Sequence, residues 1–306
     1  WRVKFVKRKE YGLASRLKKS AVSYAMMAPY MIVFILLTVI PVIAAICLSF
    51  TYFNMLEPPK FTGFLNYERL FLDDEIFPQV LKNTLVFAII TGPLSYLISF
   101  VSAWLINEMG RAVRTVMTFC FYAPALCGNL YAIWAMILSG DQYGIANSVL
   151  MQLGVISEPQ QWLSDPKTML GALITVQLWA SFGVGFLTFI AGFQSMDKSL
   201  AEAGGIDGIK NRWQELWYIT LPQLKPQLMF GAVMSITGAF TVGTVGQLLC
   251  GNPSTDYAVH TMVNHMQDYA TTRYEFGYAC AIATILFTVM VVLNELIKRL
   301  LNNVGR

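Results

Sequence analysis

Apolar residues gather into six long runs, over 24–50, 84–106, 116–138, 169–193, 228–249 and 276–293, and none of them contains Asp, Glu, Lys or Arg. Each is long enough to cross a hydrocarbon core of about 30 Å as a helix. A membrane β-barrel would show segments of about 10 residues with alternating polarity, and this chain does not. The pattern predicts an all-α transmembrane chain of six helices, with a membrane domain over 21–300 between terminal tails at 1–20 and 301–306. Pro29, Pro41, Pro93 and Pro124 fall inside runs and predict kinks.

The polar segments differ from one another. In 51–82, Glu57-Pro58-Pro59 reads as a turn, and residues 66–72 as a short amphipathic helix. Segment 139–168 is rich in turn residues, with Trp162 placed to anchor at a membrane interface. Segment 250–275 opens with Gly251-Asn252-Pro253 and holds both histidines, His260 and His265. Five apart, they do not share a helix face, so they read as surface residues.

Segment 195–226 is the most informative. Ser199 precedes Glu202 by three residues, the spacing of a capping box, and Gly204-Gly205 weakens the helix it opens. Asp207-Gly208 is a turn signal, with Gly208 suited to a positive φ. Asn211 lies three before Gln214 and caps a second helix, on which Trp213, Leu216 and Trp217 form an apolar stripe. Pro222 and Pro226 close the unit. An amphipathic helix resting on lipid is the alternative, but lipid gives no reason for two short helices held at a glycine corner, whereas a groove in another protein does.

Composition and charge set the class and the orientation. Hydrophobic residues make up 56% and charged ones 13%, where soluble domains carry about 25% charged. Lys and Arg number eight in 1–20, two after the second run, four in 195–226 and three at the C-terminus, leaving only Lys60, Arg69, Lys82, Lys167 and Arg273 elsewhere. By the positive-inside rule both termini and the 195–226 segment lie in the cytoplasm, so the net charge of +4 is a topology signal. Lys7-Arg8-Lys9 beside a membrane span fits anionic headgroups, not nucleic acid. The first run is too long for a signal peptide and is read as retained; the chain begins at Trp1, so a preceding segment is expected.

Cysteine chemistry adds little. Cys47, Cys120 and Cys127 sit inside runs, Cys250 and Cys280 fall near the outer face as a pair or as two free thiols, and no Cys/His cluster suggests a metal.

The stretch Glu202-Ala203-Gly204…Asp207-Gly208…Ile219-Thr220-Leu221-Pro222…Pro226 resembles the EAA loop of bacterial ABC importer permeases, departing from it at Gly204 and Ile209. Leu48-Ser49-Phe50-Thr51, Gly63-Phe64-Leu65-Asn66-Tyr67, Asn83-Thr84-Leu85, Gly144…Asn147, and Gln214 with Leu224-Lys225-Pro226 are similar to maltose-type carbohydrate permeases, nearest to the branch for complex oligosaccharides such as alginate. The resemblance implies an inner-membrane, multi-pass permease subunit that pairs with a second, homologous permease. Two copies of a P-loop ATPase would bind ATP and Mg beneath it, and a periplasmic or surface solute-binding protein would deliver the sugar. It assigns ATPase coupling to Glu202, Ala203, Gly204, Asp207, Gly208, Trp213, Trp217, Leu221 and Pro222. A permease of the same kind for a non-sugar solute remains the alternative.

The chain has no Gly-Lys dipeptide and so no P-loop of its own. Its spans carry no acid or base, which speaks against an ion-coupled secondary transporter and against an intramembrane enzyme; no catalytic residue is assigned. Sugars are bound by aromatic faces and neutral hydrogen-bonding groups. Candidates for a substrate path are therefore Asn129, Tyr131 and Trp134 in the third run, Gln177, Trp179 and Ser181 in the fourth, and Thr237, Thr241, Thr244 and Gln247 in the fifth. For any one of them interhelical glue is the competing and plainer reading, with some of the group lining the path.

Overall fold

The computed structural model describes residues 21–126, 131–240 and 242–302. The basic tail with Lys7-Arg8-Lys9, Cys127 and the path candidates Asn129 and Thr241 lie outside the described residues. Helices α1 (Ala21–Leu48), α3 (Phe77–Asn107) and α14 (Phe276–Asn302) are long and apolar. So is the stretch formed by α7 (Pro166–Trp179) and α8 (Val184–Gln194). Two further runs are bent: α4 (Arg111–Leu126) meets α5 (Tyr131–Ile137) at 92°, and α11 (Lys225–Phe240) meets α12 (Gly243–Cys250) at 41°. Four helices are thus long and apolar enough to cross a membrane, or up to six if each bent pair is one span.

The body is built on α3, α8 and α11, which pack against one another. Phe100, Phe186, Phe189 and Phe193 fill the contact between α3 and α8. Phe189 lies edge-on to Tyr96 and to Phe100, with centroids 5.5 Å apart in both cases. Gly231 of α11 admits Phe189, since a Cβ there would come within 2.4 Å of the ring. Helix α14 packs on α11, and α7 packs on α3. Helix α1 differs: it buries no residue, and it packs on α14 through its Ile40–Leu48 portion. A π-helical turn at Ile35–Val39 stands just before Pro41, whose missing N–H disrupts the ladder there.

Three asparagines pin the segments at the end of the body opposite 195–226. Asn66 in α2 (Leu65–Glu68) donates to the carbonyls of Ser49 and Thr51, at 2.9 Å each, where α1 turns into β1 (Thr51–Tyr52). Strand β1 pairs antiparallel with β2 (Lys60–Phe61) around the Glu57-Pro58-Pro59 turn. Asn83 of α3 donates to the carbonyls of Tyr257 and His260. Asn147 of α6 (Ile145–Gln152), wholly buried, donates to Ser139, Asp141 and Gln160 and accepts from the Trp162 indole at 2.8 Å. Gly144 is needed beside it, because a Cβ would lie 2.3 Å from the Ser139 carbonyl oxygen.

One expectation about the polar segments is corrected, that the histidines lie at the surface. The turn-rich segment 139–168 contains α6, and Trp162 is half-buried against Asn147. Segment 250–275 contains α13 (Met262–Gln267), opened by a capping box of Thr261 and Asn264. The histidines are core residues: His260 is 4% and His265 1% exposed. Cys250 and Cys280 are both free thiols.

The partner of the buried His265 is Asp74. Its Oδ1 accepts the N–H groups of Ile76 and Phe77 and so caps α3; its Oδ2 lies 2.9 Å from His265 Nε2 and accepts the Tyr278 hydroxyl at 2.7 Å. Burial would raise the Asp74 carboxyl, but the hydrogen bonds from His265 and Tyr278 outweigh it and hold the group well below the usual carboxylate range. One side chain thereby joins α3, α13 and α14.

Candidate functional site

The polar segment is built as two short helices about a glycine corner. Helix α9 (Lys198–Ile206) is capped by Asp197, whose carboxylate accepts the Ser199 N–H at 3.0 Å. Asp197, two residues earlier, takes the capping place expected for Ser199. Gly204 and Gly205 do not interrupt the helix. It ends as a Schellman motif, with the Ile209 N–H on the Gly204 carbonyl at 2.9 Å and Gly208 at φ 100°. Asn211 then caps α10 (Arg212–Glu215) by accepting the Gln214 N–H at 2.8 Å, and Gln214 returns to the Lys210 N–H. The chain continues through a π-helical turn, Leu216–Thr220, and the short turn Leu221–Gln223 into α11.

Close approach sets how the two halves sit. A Cβ on Gly204 would lie 2.4 Å from Ile219 Cδ1 and 3.0 Å from Ile209 Cδ1. Gly204 is accordingly buried, while Glu202, Ala203, Asp207 and Gly208 are exposed. The expected stripe divides: Trp213 and Trp217 face out, Leu216 faces the core, Leu221 is half-buried and Pro222 exposed. Ile206 and Tyr218 join the exposed apolar set. Sequence reasoning missed both, although Ile206 stands four residues after Glu202 on the same helix face.

The unit is also tied to the body. Arg212 pairs with Glu108, just past the end of α3, at 3.0 Å and with Glu215 at 2.9 Å. Trp213 meets Trp104 of α3 edge to face at 5.2 Å. A cavity of about 400 Å³ lies between them, lined by Trp104, Glu108, Arg114, Asp197, Arg212 and Glu215 among others. The unit and the end of α3 are thus in direct contact.

Several described path candidates lie on elements that meet where the bent and broken helices pack. Trp134 of α5 and Trp179 at the end of α7 lie edge to face at 5.5 Å, and α12 packs against both helices. Tyr131, Trp134, Gln177 and Trp179 are half-buried, and Thr244 and Gln247 exposed. Two candidates donate to their own helices: Ser181 to the Leu178 carbonyl at 2.6 Å, and Thr237 to the Val233 carbonyl at 2.9 Å. Interrupted helices at mid-depth are tolerated where backbone lines a cavity or is covered by protein.

Comparison with known proteins agrees with this geometry. Residues 95–303 match the family model described as binding-protein-dependent transport system inner membrane component. A probable ABC transporter permease protein, YesP of Bacillus subtilis (strain 168), is 30% identical over 279 residues, covering 89% of this chain and 88% of that protein. The arabinooligosaccharides transport system permease protein AraP of the same organism is 29% identical, covering 90% and 87%. Among solved structures, a bacterial ABC transporter involved in the import of the acidic polysaccharide alginate superposes with a TM-score of 0.75 at 22% identity, over 96% of this chain and 99% of that one.

Proposed function

Because the chain belongs to the family of binding-protein-dependent transport system inner membrane components, we propose that it is the permease subunit of an ATP-driven importer of oligosaccharides. The observation that carries the coupling half of this reading is the helix–Gly208–helix unit. It presents Ile206, Trp213, Trp217 and Tyr218 outward while Arg212 and Trp213 hold the end of α3. A rigid lever of this kind passes a movement between two-state bodies. In this reading the unit is the EAA loop, docked on one of two ATPase copies that bind ATP and Mg. Glu202, Ala203, Gly204, Asp207, Gly208, Trp213, Trp217, Leu221 and Pro222 form or shape that contact.

The charge asymmetry supports six spans with both termini and the 195–226 unit in the cytoplasm, between tails 1–20 and 301–306. Helix α1, with no buried residue, supports a second, homologous permease beside it. The carbohydrate assignment rests on relatives such as AraP and on the Tyr131, Trp134 and Trp179 cluster with Gln177, Thr244 and Gln247. A solute-binding protein would deliver the sugar to the opposite end, pinned by Asn66, Asn83 and Asn147.

Purification of the tagged chain from its membrane, with the copurifying chains identified by mass, tests this directly. Recovery of a P-loop ATPase and a second permease is expected, with ATP hydrolysis stimulated by binding protein loaded with arabino- or uronate oligosaccharides. A chain that purifies alone in mild detergent overturns the importer reading. Stimulation only by a non-sugar ligand overturns the carbohydrate one.

A further inference from the structure

The furrow between α4 and α8 changes character along its length. Arg111, Arg114 and Thr115 precede the apolar run 116–138, and Thr118, Phe119 and Tyr122 stand inside it. With Leu187, Ile190 and Gln194 of α8 they line a groove of about 490 Å³. One end is basic and the other apolar. Between the two, the Thr118 hydroxyl is buried and has no hydrogen-bond partner. Arg114 and Gln194 also line the cavity of about 400 Å³ beside the 195–226 unit, so the two hollows meet at the basic end.

The two arginines lack anions. Among the described residues neither forms an ion pair, and Arg114 donates to the Asn107 side-chain oxygen at 3.1 Å. The carboxylates of the adjoining cavity are committed elsewhere: Glu108 and Glu215 to Arg212, and Asp197 to the Ser199 N–H. Like charges three residues apart on a helix repel, and an anion between them removes that repulsion. The planar guanidinium fork matches the oxygens of a phosphate. Thr118 stands four residues beyond Arg114, about 6 Å deeper at the helical rise, where an ester carbonyl follows the phosphate of a phospholipid. Phe119 is exposed at the rim, and with Tyr122, Leu187 and Ile190 it offers an apolar bed. A free anion uses only one end of this groove. A molecule carrying an anion, an ester acceptor and a hydrocarbon tail, in that order, uses all of it.

Resting on the six-span orientation proposed above, which puts the Arg111 end at the cytoplasmic interface, we infer that the α4–α8 furrow binds an anionic phospholipid of the inner leaflet. Its phosphate lies on Arg111 and Arg114, an ester carbonyl accepts from Thr118, and an acyl chain rests on Phe119, Tyr122, Leu187 and Ile190. The headgroup then stands at the edge of the cavity between the 195–226 unit and the end of α3.

Photolabelling tests this. The tagged chain and its copurifying partners are reconstituted in phosphatidylcholine vesicles with a trace of phosphatidylglycerol that carries a diazirine in its acyl chain. After irradiation the labelled peptides are mapped by mass. Label is expected within 115–122 and 187–194, about tenfold above that from phosphatidylcholine carrying the same diazirine. Arg111→Gln with Arg114→Gln should bring the label down to the phosphatidylcholine level. Lys298→Gln with Arg299→Gln, near the end of α14, should leave it unchanged. Equal labelling by the two lipids, or label confined to other helices, overturns the inference without any variant. Equal loss in both variant pairs makes the attraction a diffuse one and overturns it as well. So does loss of the label to excess inorganic phosphate at constant ionic strength, which assigns the arginines to a free anion. The orientation is read separately from Arg111→Cys in a cysteine-free chain, which should react with a membrane-impermeant maleimide from the cytoplasmic side only. Reaction from the outside overturns the orientation and the lipid site together; cytoplasmic reaction with label outside the furrow overturns the lipid site alone.

Discussion

The guanidinium of Arg212 and the carboxylate of Glu108 lie 3.0 Å apart, joining the first turn of α10 to the end of α3 across a bend of the chain about a hundred residues long. Both side chains are substantially exposed, so the pair contributes under about 1 kcal/mol to stability. Its importance lies in direction: together with the Trp104–Trp213 contact it fixes the angle at which the unit meets the body.

Arg212→Ala should therefore leave thermal unfolding almost unchanged while the stimulation of ATP hydrolysis by loaded binding protein falls several-fold. The exchanged pair, Glu108→Arg with Arg212→Glu, should recover most of that stimulation. Unimpaired stimulation in Arg212→Ala would remove the pair from the coupling route.

Gly208 sits at φ 100°, where a β-branched residue is strained by about 1–3 kcal/mol. In Gly208→Val the strain falls on the corner alone, because nothing lies within 4 Å of the added Cβ. Membrane insertion and assembly with partners should persist while hydrolysis continues without transport. Full transport by this variant would show that the corner can be rebuilt without glycine.

Gly204 and Ile219 should behave as a coupled pair. Alanine in a helix is favoured over glycine by about 1 kcal/mol, but here the new methyl group would meet Ile219 Cδ1. Gly204→Ala should thus stabilise more in an Ile219→Val background, which lacks that carbon, than in the native chain. A double-mutant cycle on melting temperature reads the difference; strict additivity would mean that the Ile219 side chain turns aside freely.

Acid should loosen the end that holds the histidines. Burial, then the neighbouring His265, lowers the His260 pKa from 6.5 to about 4, so the folded chain keeps it neutral while the unfolded chain takes up a proton. That difference supplies up to about 3 kcal/mol above pH 6.5, lost as pH falls from 6.5 to 4. Asp74 is shifted the opposite way relative to its charge: its carboxylate contributes above the usual carboxylate range and is lost only below it. The melting temperature of the purified complex should fall between pH 7 and 5, and His260→Gln should flatten that fall. An unchanged slope would place the titrating group elsewhere.

The six apolar runs were plain in the sequence because an uncharged stretch that long has few other places to go. The helix–Gly208–helix unit was equally plain, since a glycine at positive φ and an asparagine cap are local devices. The buried histidines were not: His265 is explained by Asp74, 191 residues earlier, and no spacing rule connects them. The Asp197 cap was mistaken for Ser199 because both are capping residues and only the backbone decides between them. Asn66, Asn83 and Asn147 carried the family resemblance, yet each spends its amide on loop carbonyls. They announce a fold more strongly than a ligand.

Among the described residues, helix α1 packs on α14 through its second half, Ile40–Leu48, and buries no side chain. Most of its apolar surface is therefore left for neighbours outside this polypeptide, lipid among them. Substitutions along most of its length can accumulate without repair anywhere else in the chain, and the compensating changes would be found in whatever molecule lies alongside. Two such bodies could trade their first helices and keep nearly every contact within the remaining bundle intact.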